Sequence, residues 1–329
     1  MSILYDKPFK NYNEQIDKLE KEYGLNLSIS SYTHIEEALK TLAYYNIVNG
    51  YKECFMINGK FLKNLTIYDI IVFNALEKHL LTTLFKYSTY VEEFFKTKMA
   101  YVIAKDISVD ETIYLKKQFY NVSKKRKTKF SETVQKIKLS FSTKDQPTKY
   151  YEDNHNHIPP WILFKNVYFN SVIDLFTFLN KNMQLQIVND YSLLKKMNIK
   201  NEFKTKNLKK MLTIIRKFRN KIAHNAKIFN YRVENTDEIL HQEIKGILPN
   251  DFINFKDIRN NLGKTDMFAM IFSIVILLDN SILRLLFLNE IKNAFDRILK
   301  SKFGNKYLSL ANIPFDIIDR IDSLLLFFK

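Results

Sequence analysis

The stretch RNKIAHN, residues 219–225, combines three side chains that can act on a phosphate ester. Arg219 carries a planar fork of hydrogen-bond donors that suits phosphate oxygens. His224 can transfer a proton near neutral pH, and Asn220 can orient a reacting group. RNA brings its own nucleophile, the 2′-hydroxyl beside the phosphate, so an enzyme need only move protons and stabilise charge. The stretch therefore admits RNA cleavage without a metal ion.

A helix over residues 206–229 is predicted to carry this stretch. Apolar residues recur there at steps of three and four, which forms one stripe facing the core: Met211, Ile215, Phe218, Ile222, Ala226 and Phe229. His224 follows Ile222 by two positions and therefore points away from the stripe. Two interpretations of His224 stay open, a solvated surface histidine and a histidine at a cleft or interface.

Helical spacing also bears on how the three polar residues meet. Asn220 and His224 are neighbours because they are four residues apart. Arg219 is five residues from His224, about 140° around an ideal helix, so one such pair converges only loosely. Two copies packed about a two-fold axis would pool two histidines and two arginines in one cleft. We therefore expect a homodimer.

The charge of the chain favours a polyanionic partner. Its 329 residues include 51 basic and 35 acidic ones, which give a formal net charge of +16. Such an excess favours nucleic acid or an anionic membrane surface, although an AT-rich coding sequence also enriches lysine. Arginine is scarce, yet three arginines cluster near the motif. RNA contacts are expected from Arg216, Lys217, Lys221, Arg232, Lys124, Lys125, Arg126 and Lys127. The last four belong to a basic run that is equally well explained as a solvated loop.

Several classes of protein are disfavoured. Cys54 is the single cysteine, so no intrachain disulfide and no thiol metal cluster is expected. The N-terminus lacks an apolar segment of signal-peptide length, and the longest apolar run, 267–278, is too short to span a bilayer. His155 and His157 match no strong metal-binding spacing. We expect a cytoplasmic protein with no metal, no cofactor and no membrane partner.

The periodicity predicts an all-α fold. Helices are expected within 34–55 (ending at Gly50), and over 68–104 (one helix, or two with a break near Ser88), 161–182, 206–229, 264–300 and 313–328. The predicted organisation is an N-terminal helical segment over 1–62, a helical core over 63–290 and a C-terminal helical segment over 291–329. A basic insertion or loop region is expected within the core near 106–158, where the helical pattern weakens.

The spacing of Arg219 and His224 resembles the R-x4–6-H signature of HEPN ribonucleases. Four further segments that precede it in order widen the likeness: KPFKNYNEQIDKLEKEYGL, LAYYNIVNGYKECF, VEEFFKTKMAYVIAK and PPWILFKNVYF. With RNKIAHNAKIFNYR, they resemble the Abi-like family of bacterial abortive-infection proteins (AbiD/AbiF type). The likeness covers roughly residues 7–290.

The resemblance implies an all-helical HEPN-like bundle and a role in defence against phage. It also implies metal-independent RNA cleavage that leaves 2′,3′-cyclic phosphate ends, at a site often built across a dimer. Some members resemble toxins restrained by a small non-coding RNA. Arg219 and His224 match the arginine and histidine of the motif, and Asn220 matches its polar residue.

This chain departs from the family pattern at three places. Tyr231 separates Asn230 from Arg232, where the family has an adjacent pair, so Arg232 need not occupy the place of the family's arginine. Asn225 stands where a second histidine often follows, and Asn170 where relatives tend to have glycine.

Three functions remain in competition at the level of sequence. The first is an endoribonuclease toxin with Arg219, Asn220 and His224 at its site. The second is a non-catalytic RNA-binding protein, and the third is a protein-interaction module that blocks a phage or host process. Replacing His224 separates the first from the others, because only cleavage needs its proton transfer.

Overall fold

The computed structural model describes residues 6–27, 32–141, 144–239, 244, 246–249 and 252–329. This part of the chain is dominated by helices. Its two strands, Met56–Ile57 and Lys60–Phe61, pair as one short antiparallel hairpin. The prediction of an all-α fold is confirmed.

The helices are numbered in chain order. The first eight are α1 Tyr12–Asp17, α2 Tyr32–Leu42, α3 Tyr44–Ile47, α4 Lys52–Phe55, α5 Ile67–Asp106, α6 Glu111–Tyr114, α7 Lys127–Lys138 and α8 Thr148–Asn154. They are followed by α9 Pro160–Asn166, α10 Phe169–Phe176, α11 Lys181–Asn189, α12 Ser192–Lys195 and α13 Asn201–Ala223. The last are α14 Phe255–Arg259, α15 Met267–Leu277, α16 Ser281–Leu299, α17 Gly304–Ala311 and α18 Ile317–Phe327.

The described residues group into two compact units. One lies within Met1–Thr82 and Asn293–Leu310, and the other within Thr83–Lys292 and Ala311–Lys329. In the first unit, buried rings pack edge to face, among them Phe55, Phe73 and Phe303. The predicted boundaries after residues 62 and 290 stay a prediction.

The core of the second unit is built around two helices that pack together, α13 and α15. Every residue of α15 is buried, as expected for the longest apolar run of the chain. On α13, Met211, Ile215 and Phe218 are fully buried, which confirms the predicted apolar stripe along the helix. Leu212, Thr213 and Ile214 are buried as well, so the middle of α13 has no exposed face and its exposed residues lie toward its two ends.

Several predicted helix limits are wrong. The helix predicted over 206–229 is α13, which begins five residues earlier and ends at Ala223. The helix predicted over 264–300 is divided into α15 and α16, since the Asn280 side chain accepts from the N–H of Leu283 and starts a new helix. The segment 161–182 is likewise divided, and Asn180 caps α11 through the N–H of Met183.

In the first half of the chain, one predicted helix is interrupted, and the structure decides between two alternatives for another. The segment 34–55 is interrupted at Ala43, whose φ of 61° is incompatible with a continuing right-handed helix. The long stretch 68–104 is one helix, α5, without a break near Ser88. The Ser88 hydroxyl donates to the carbonyl of Phe85 within the helix, so its polar group is satisfied there.

The region 106–158 contains helices as well as connecting segments, and its interpretation as an insertion in the core stays a prediction. It contains α6, α7 and α8, and α7 packs against α10. Phe130 on α7 is buried against the rings of Tyr120 and Phe178. The apolar pattern of the sequence does not reveal α7, because only three of its residues are buried. They are Phe130, Thr133 and Ile137.

No helix in the described ranges is long and apolar enough to cross a lipid bilayer.

Candidate functional site

The polar residues of the motif lie at the C-terminal end of α13. Asn220 is exposed on the last turn, and His224 is the exposed C-cap residue. Within the described part of the chain, the His224 side chain has no hydrogen bond and no ion pair. Its ring is therefore open to a ligand, which agrees with the prediction that it points away from the core.

The backbone explains why the helix ends there. Asn225 has a φ of 54°, in the left-handed region that asparagine tolerates better than most residues. The N–H of Asn225 donates to the carbonyl of Ile222, and the N–H of Ala226 donates to the carbonyl of Lys221. These two bonds form a Schellman motif, which terminates helices in this way. The turn projects His224 beyond the last helical residue.

Arg219 occupies a different position, partly inside the protein. Its side chain is 31% exposed, and its Nη2 lies 3.2 Å from Oε2 of Glu92 on α5. Its guanidinium also lies over the ring of Phe85, 5.6 Å from the centroid. Nη1 approaches Oδ1 of Asn220 only at 3.5 Å, the limit of a hydrogen bond. In this arrangement the charge of Arg219 is largely compensated by Glu92.

Arg219 lines a cleft of about 340 Å³ formed by α5, α9 and α13. The wall includes Trp161, which is 47% exposed, and two further ion pairs. Glu92 approaches Lys96 to 2.7 Å, and Glu93 approaches Lys165 to 2.9 Å. Three cations therefore face two carboxylates, so the cleft has a positive excess of one charge, which suits a single phosphate.

Three buried polar atoms near this cleft lack a hydrogen-bond partner in the described structure. They are Nε of Arg219, Nε of Arg216 and Oε2 of Glu92. The Arg219–Glu92 contact is thus close in distance but poorly aligned, an ion pair without a good hydrogen bond. Buried polar atoms of this kind are costly and usually find a partner in water or a ligand.

Arg216 stands out among the predicted RNA-binding residues. It is half-buried, and no described carboxylate lies within ion-pair distance of it. It precedes Asn220 by four residues, so the two share a face of α13. Arg216 is therefore an uncompensated cation on the face that leads to His224.

The other basic residues near the motif already have partners. Lys217 lies 3.0 Å from Asp237 and 3.5 Å from Glu234. Burial disfavours its charge, but the hydrogen bond and charge of Asp237 outweigh this and raise the pKa of Lys217. Lys221 is exposed, with its ammonium 5.3 Å from the ring centroid of Tyr231.

Arg232 is directed at the backbone. It donates to the carbonyls of Phe229 and Tyr231, at 3.1 and 2.9 Å. Burial lowers the pKa of Arg232, and the negative charge of Asp266 partly offsets this. Its guanidinium thus organises the loop that follows α13.

The basic run lies at the start of α7. Lys124, Lys125 and Lys127 are exposed, while Arg126 donates to the carbonyl of Thr177 at 3.1 Å and to its hydroxyl. The guanidinium of Arg126 also covers the ring of Phe178, at 4.1 Å. Because α7 packs on α10, and α10 on α13, the run belongs to the same unit as the motif.

Metal-ligating side chains are not grouped in the described residues, where no three His, Cys, Asp or Glu side chains could hold one ion. His155 packs on the ring of Tyr151, with centroids 4.4 Å apart. His157 contacts Oδ1 of Asn156 through Nδ1 at 2.7 Å. Cys54 is buried and forms no disulfide with a described residue.

The residues that sequence reasoning missed are Glu92, Lys96, Trp161 and Lys165. Glu92 and Lys96 carry a weak signal, an acidic and a basic residue four apart on one helix. Nothing in the sequence places them beside Arg219, because the contact joins two helices distant along the chain.

One comparison with known proteins gives a match. A family model described as Abi-like protein matches residues 37–230, which is more than half of the chain. The matched segment includes α5, α9 and the whole of α13 with its C-terminal cap. No curated protein and no solved structure matches the chain.

Proposed function

The chain belongs to the Abi-like protein family, and we propose that it acts in abortive infection as a metal-independent endoribonuclease of the HEPN type. The family suggests defence against phage. The enzymatic activity is a proposal that rests on the residues at the end of α13.

One observation carries the proposal. His224 is exposed and unpaired within the described structure, at the end of the helix that also carries Asn220, Arg219 and Arg216. A histidine that serves only packing would be covered or hydrogen-bonded. An open imidazole at the end of a helix that also carries Arg216 and Arg219 suits a reaction that moves a proton next to a phosphate.

The chemistry is a transesterification within RNA. The 2′-oxygen loses its proton and bonds to the adjacent phosphorus, and the bond from phosphorus to the 5′-oxygen of the next nucleotide breaks. The products are a 2′,3′-cyclic phosphate and a 5′-hydroxyl. His224 transfers protons, Arg219 binds the phosphate with help from Arg216, and Asn220 orients the imidazole or the hydroxyl.

Two proton transfers are needed, one from the 2′-hydroxyl and one to the departing 5′-oxygen. A second copy of the chain supplies a second His224 for the other transfer. This is the physical reason to propose a homodimer, in which two α13 ends meet at one RNA strand. It also removes the difficulty that Arg219 and His224 do not converge within one helix.

The ion pair between Arg219 and Glu92 fits an enzyme that is held silent. While Glu92 compensates Arg219, phosphate binding must compete with a carboxylate at 3.2 Å. We propose that the protein acts as a toxin that is restrained until triggered, with a small non-coding RNA as the restraining partner. The net charge of +16 supports an RNA partner of this kind.

The decisive experiment incubates total RNA with the purified protein in EDTA. Wild type is compared with His224→Ala and with His155→Ala, which removes an exposed histidine outside the helices. We expect cleavage by wild type and His155→Ala only, with 2′,3′-cyclic phosphate ends. Equal cleavage by all three proteins overturns the assignment of His224.

A second candidate is a non-catalytic RNA-binding protein, and a protein-interaction module is a third. The ion pair of Arg219 with Glu92 favours the RNA-binding protein, because the remaining cations can bind RNA without a free catalytic arginine. RNA affinity that falls steeply with salt, without cleavage by wild type, supports this candidate. If the protein does not bind RNA even at low salt, the protein-interaction module is the candidate that remains.

A further inference from the structure

A second cleft, of about 580 Å³, lies at the N-terminal end of α13. Its wall comes from the start of α7, the end of α10, the start of α11 and the first turns of α13. Since α13 has 23 residues, this end lies roughly 30 Å from His224. The cleft is therefore separate from the site proposed for RNA cleavage.

The inner part of this cleft is apolar. Phe176 and Leu185 form part of its floor, and Phe176 is only 1% exposed. The volume is within the range of pockets that hold small ligands, about 300–1,000 Å³. Because Phe176 is almost fully covered, this floor offers a flat heterocycle van der Waals contact and not ring stacking.

The rim is positively charged. Arg126, Lys181, Lys206 and Lys209 line it, against the single carboxylate of Glu202. Glu202 lies 2.8 Å from Lys206, and Lys209 lies 3.6 Å from Asp237. After these pairings Arg126 and Lys181 remain as uncompensated cations of the rim.

Arg126 is fixed before any ligand arrives. Two of its nitrogens donate to Thr177, and its plane rests on the ring of Phe178. A guanidinium has five N–H donors, so donors are left for an incoming anion. Because the side chain is already ordered, binding loses little entropy to its immobilisation.

The start of α13 adds a further attraction for anions. The N-cap residue Lys200 makes no side-chain hydrogen bond to the first turn, whereas Asn180 caps α11 through Met183. The first backbone N–H groups of α13 therefore lack a side-chain acceptor, and Asn201 and Glu202 of this turn line the cleft. The positive end of the helix dipole lies at the same turn.

We propose that this cleft binds a nucleoside phosphate. The base lies on the floor formed by Phe176 and Leu185, and the phosphate lies at Lys181, Arg126 and the start of α13. The ligand is either a free nucleotide or one nucleotide unit of an RNA strand. Both share the heterocycle and the phosphate that the cleft fits.

The test is isothermal titration of the full chain with adenosine 5′-monophosphate, adenosine and inorganic phosphate. We expect saturable binding of the nucleotide with a Kd of about 10–100 µM, and at least tenfold weaker binding of each fragment. Absence of saturable nucleotide binding below about 1 mM overturns the proposal.

Variants locate the binding. Lys181→Ala, Arg126→Ala and Leu185→Glu are each expected to weaken nucleotide binding about tenfold or more, while Lys136→Ala, an exposed lysine on α7, leaves it unchanged. Circular dichroism checks that each variant keeps its helices. Equal affinity in all four variants overturns the placement of the ligand in this cleft.

His224→Ala separates this proposal from the proposed function, because it should abolish RNA cleavage and leave nucleotide binding intact. In that variant, competition by a single-stranded hexanucleotide distinguishes the two sources of ligand. Displacement of the mononucleotide by the hexanucleotide identifies the cleft as a subsite for RNA. Lack of displacement identifies it as a site for a free nucleotide.

Discussion

Glu92 on α5 holds Arg219 on α13 at 3.2 Å, and it does so while pairing with Lys96 at 2.7 Å. Its side chain is only 14% exposed, so the carboxylate competes with any phosphate for the same guanidinium. The contact links the longest helix of the chain to the helix that carries the motif. Whether the charge of Arg219 is compensated therefore depends on how α5 and α13 pack, and not on the motif alone.

Removing the charge of Glu92 should therefore strengthen RNA binding. We expect Glu92→Gln, made in a His224→Ala background to prevent cleavage, to bind single-stranded RNA about three- to tenfold more tightly. Fluorescence anisotropy with a labelled oligonucleotide measures the affinity. Glu93→Gln is the matched control, because Glu93 pairs with Lys165 and is 54% exposed. An unchanged or weaker affinity of Glu92→Gln would show that Glu92 does not compete with RNA.

Arg216 and Lys217 are adjacent on α13 but differ in how their charge is satisfied. Arg216 has no described carboxylate partner, whereas Lys217 is paired with Asp237 and Glu234. We expect Arg216→Ala to weaken RNA binding about tenfold and to reduce the slope of log K against log salt by about 0.7, as for one phosphate contact on a single strand. Lys217→Ala should leave the slope nearly unchanged. Equal slopes for both variants would contradict the special role of Arg216.

The Schellman turn at Asn225 sets the position of His224. Asn225→Ala places a Cβ-bearing residue with no side-chain amide at a φ of 54°, which costs about 1 kcal/mol and favours extension of α13. We expect at least tenfold slower RNA cleavage, because His224 would join the helix. Asn225→Gly, which is compatible with the turn, should retain the activity of wild type. Equal rates of all three proteins would show that the turn does not position the histidine.

The periodicity of the sequence predicts core residues of α13 but not the full extent of its burial. Met211, Ile215 and Phe218 are buried, as a stripe at steps of three and four predicts, yet Leu212, Thr213 and Ile214 are buried as well. The same stripe continues into Phe229, which is also buried, yet α13 ends at Ala223. The left-handed conformation of Asn225, which ends the helix, does not alter the spacing of apolar residues. The apolar pattern therefore cannot predict the end of the helix or the position of His224.

The partners of the motif are also beyond prediction from the sequence. The motif alone presents Arg219 as a free phosphate ligand, whereas its ion pair with Glu92 depends on how α5 and α13 pack. The cationic cleft at the start of α13 likewise joins residues from four segments of the chain. Local patterns identify the residues that can do chemistry, while long-range packing decides which of them are compensated.

The first turn of α5 gives a prediction about acid stability. The N–H and the hydroxyl of Thr66 both donate to Oδ2 of Asp69, and the N–H of Asp69 donates to the Thr66 hydroxyl. Burial disfavours the charge on Asp69, but the hydrogen bonds from Thr66 and the contact with Lys302 outweigh this and lower the pKa of Asp69. The carboxylate is thus held in its charged form at the start of the longest helix.

A depressed pKa in the folded state means that the stabilising contribution is fully present above the ordinary pKa of aspartate. It is lost as the pH falls through the folded pKa. We therefore expect Asp69→Asn to unfold more easily than wild type at pH 7, by about 1 kcal/mol, as for loss of a helix cap. The difference should begin to shrink below about pH 4, where Asp69 of the unfolded chain, with its ordinary pKa, starts to bind a proton.

Urea unfolding followed by circular dichroism at pH 7 and at pH 3 measures both values. Asp17→Asn is the matched control, because Asp17 lies on a helix near the N-terminus in an exposed ion pair with Lys21. Such a pair contributes little, so this variant should resemble wild type at both pH values. A difference between Asp69→Asn and wild type that persists undiminished at pH 3 would mean that Asp69 acts through packing and not through its charge.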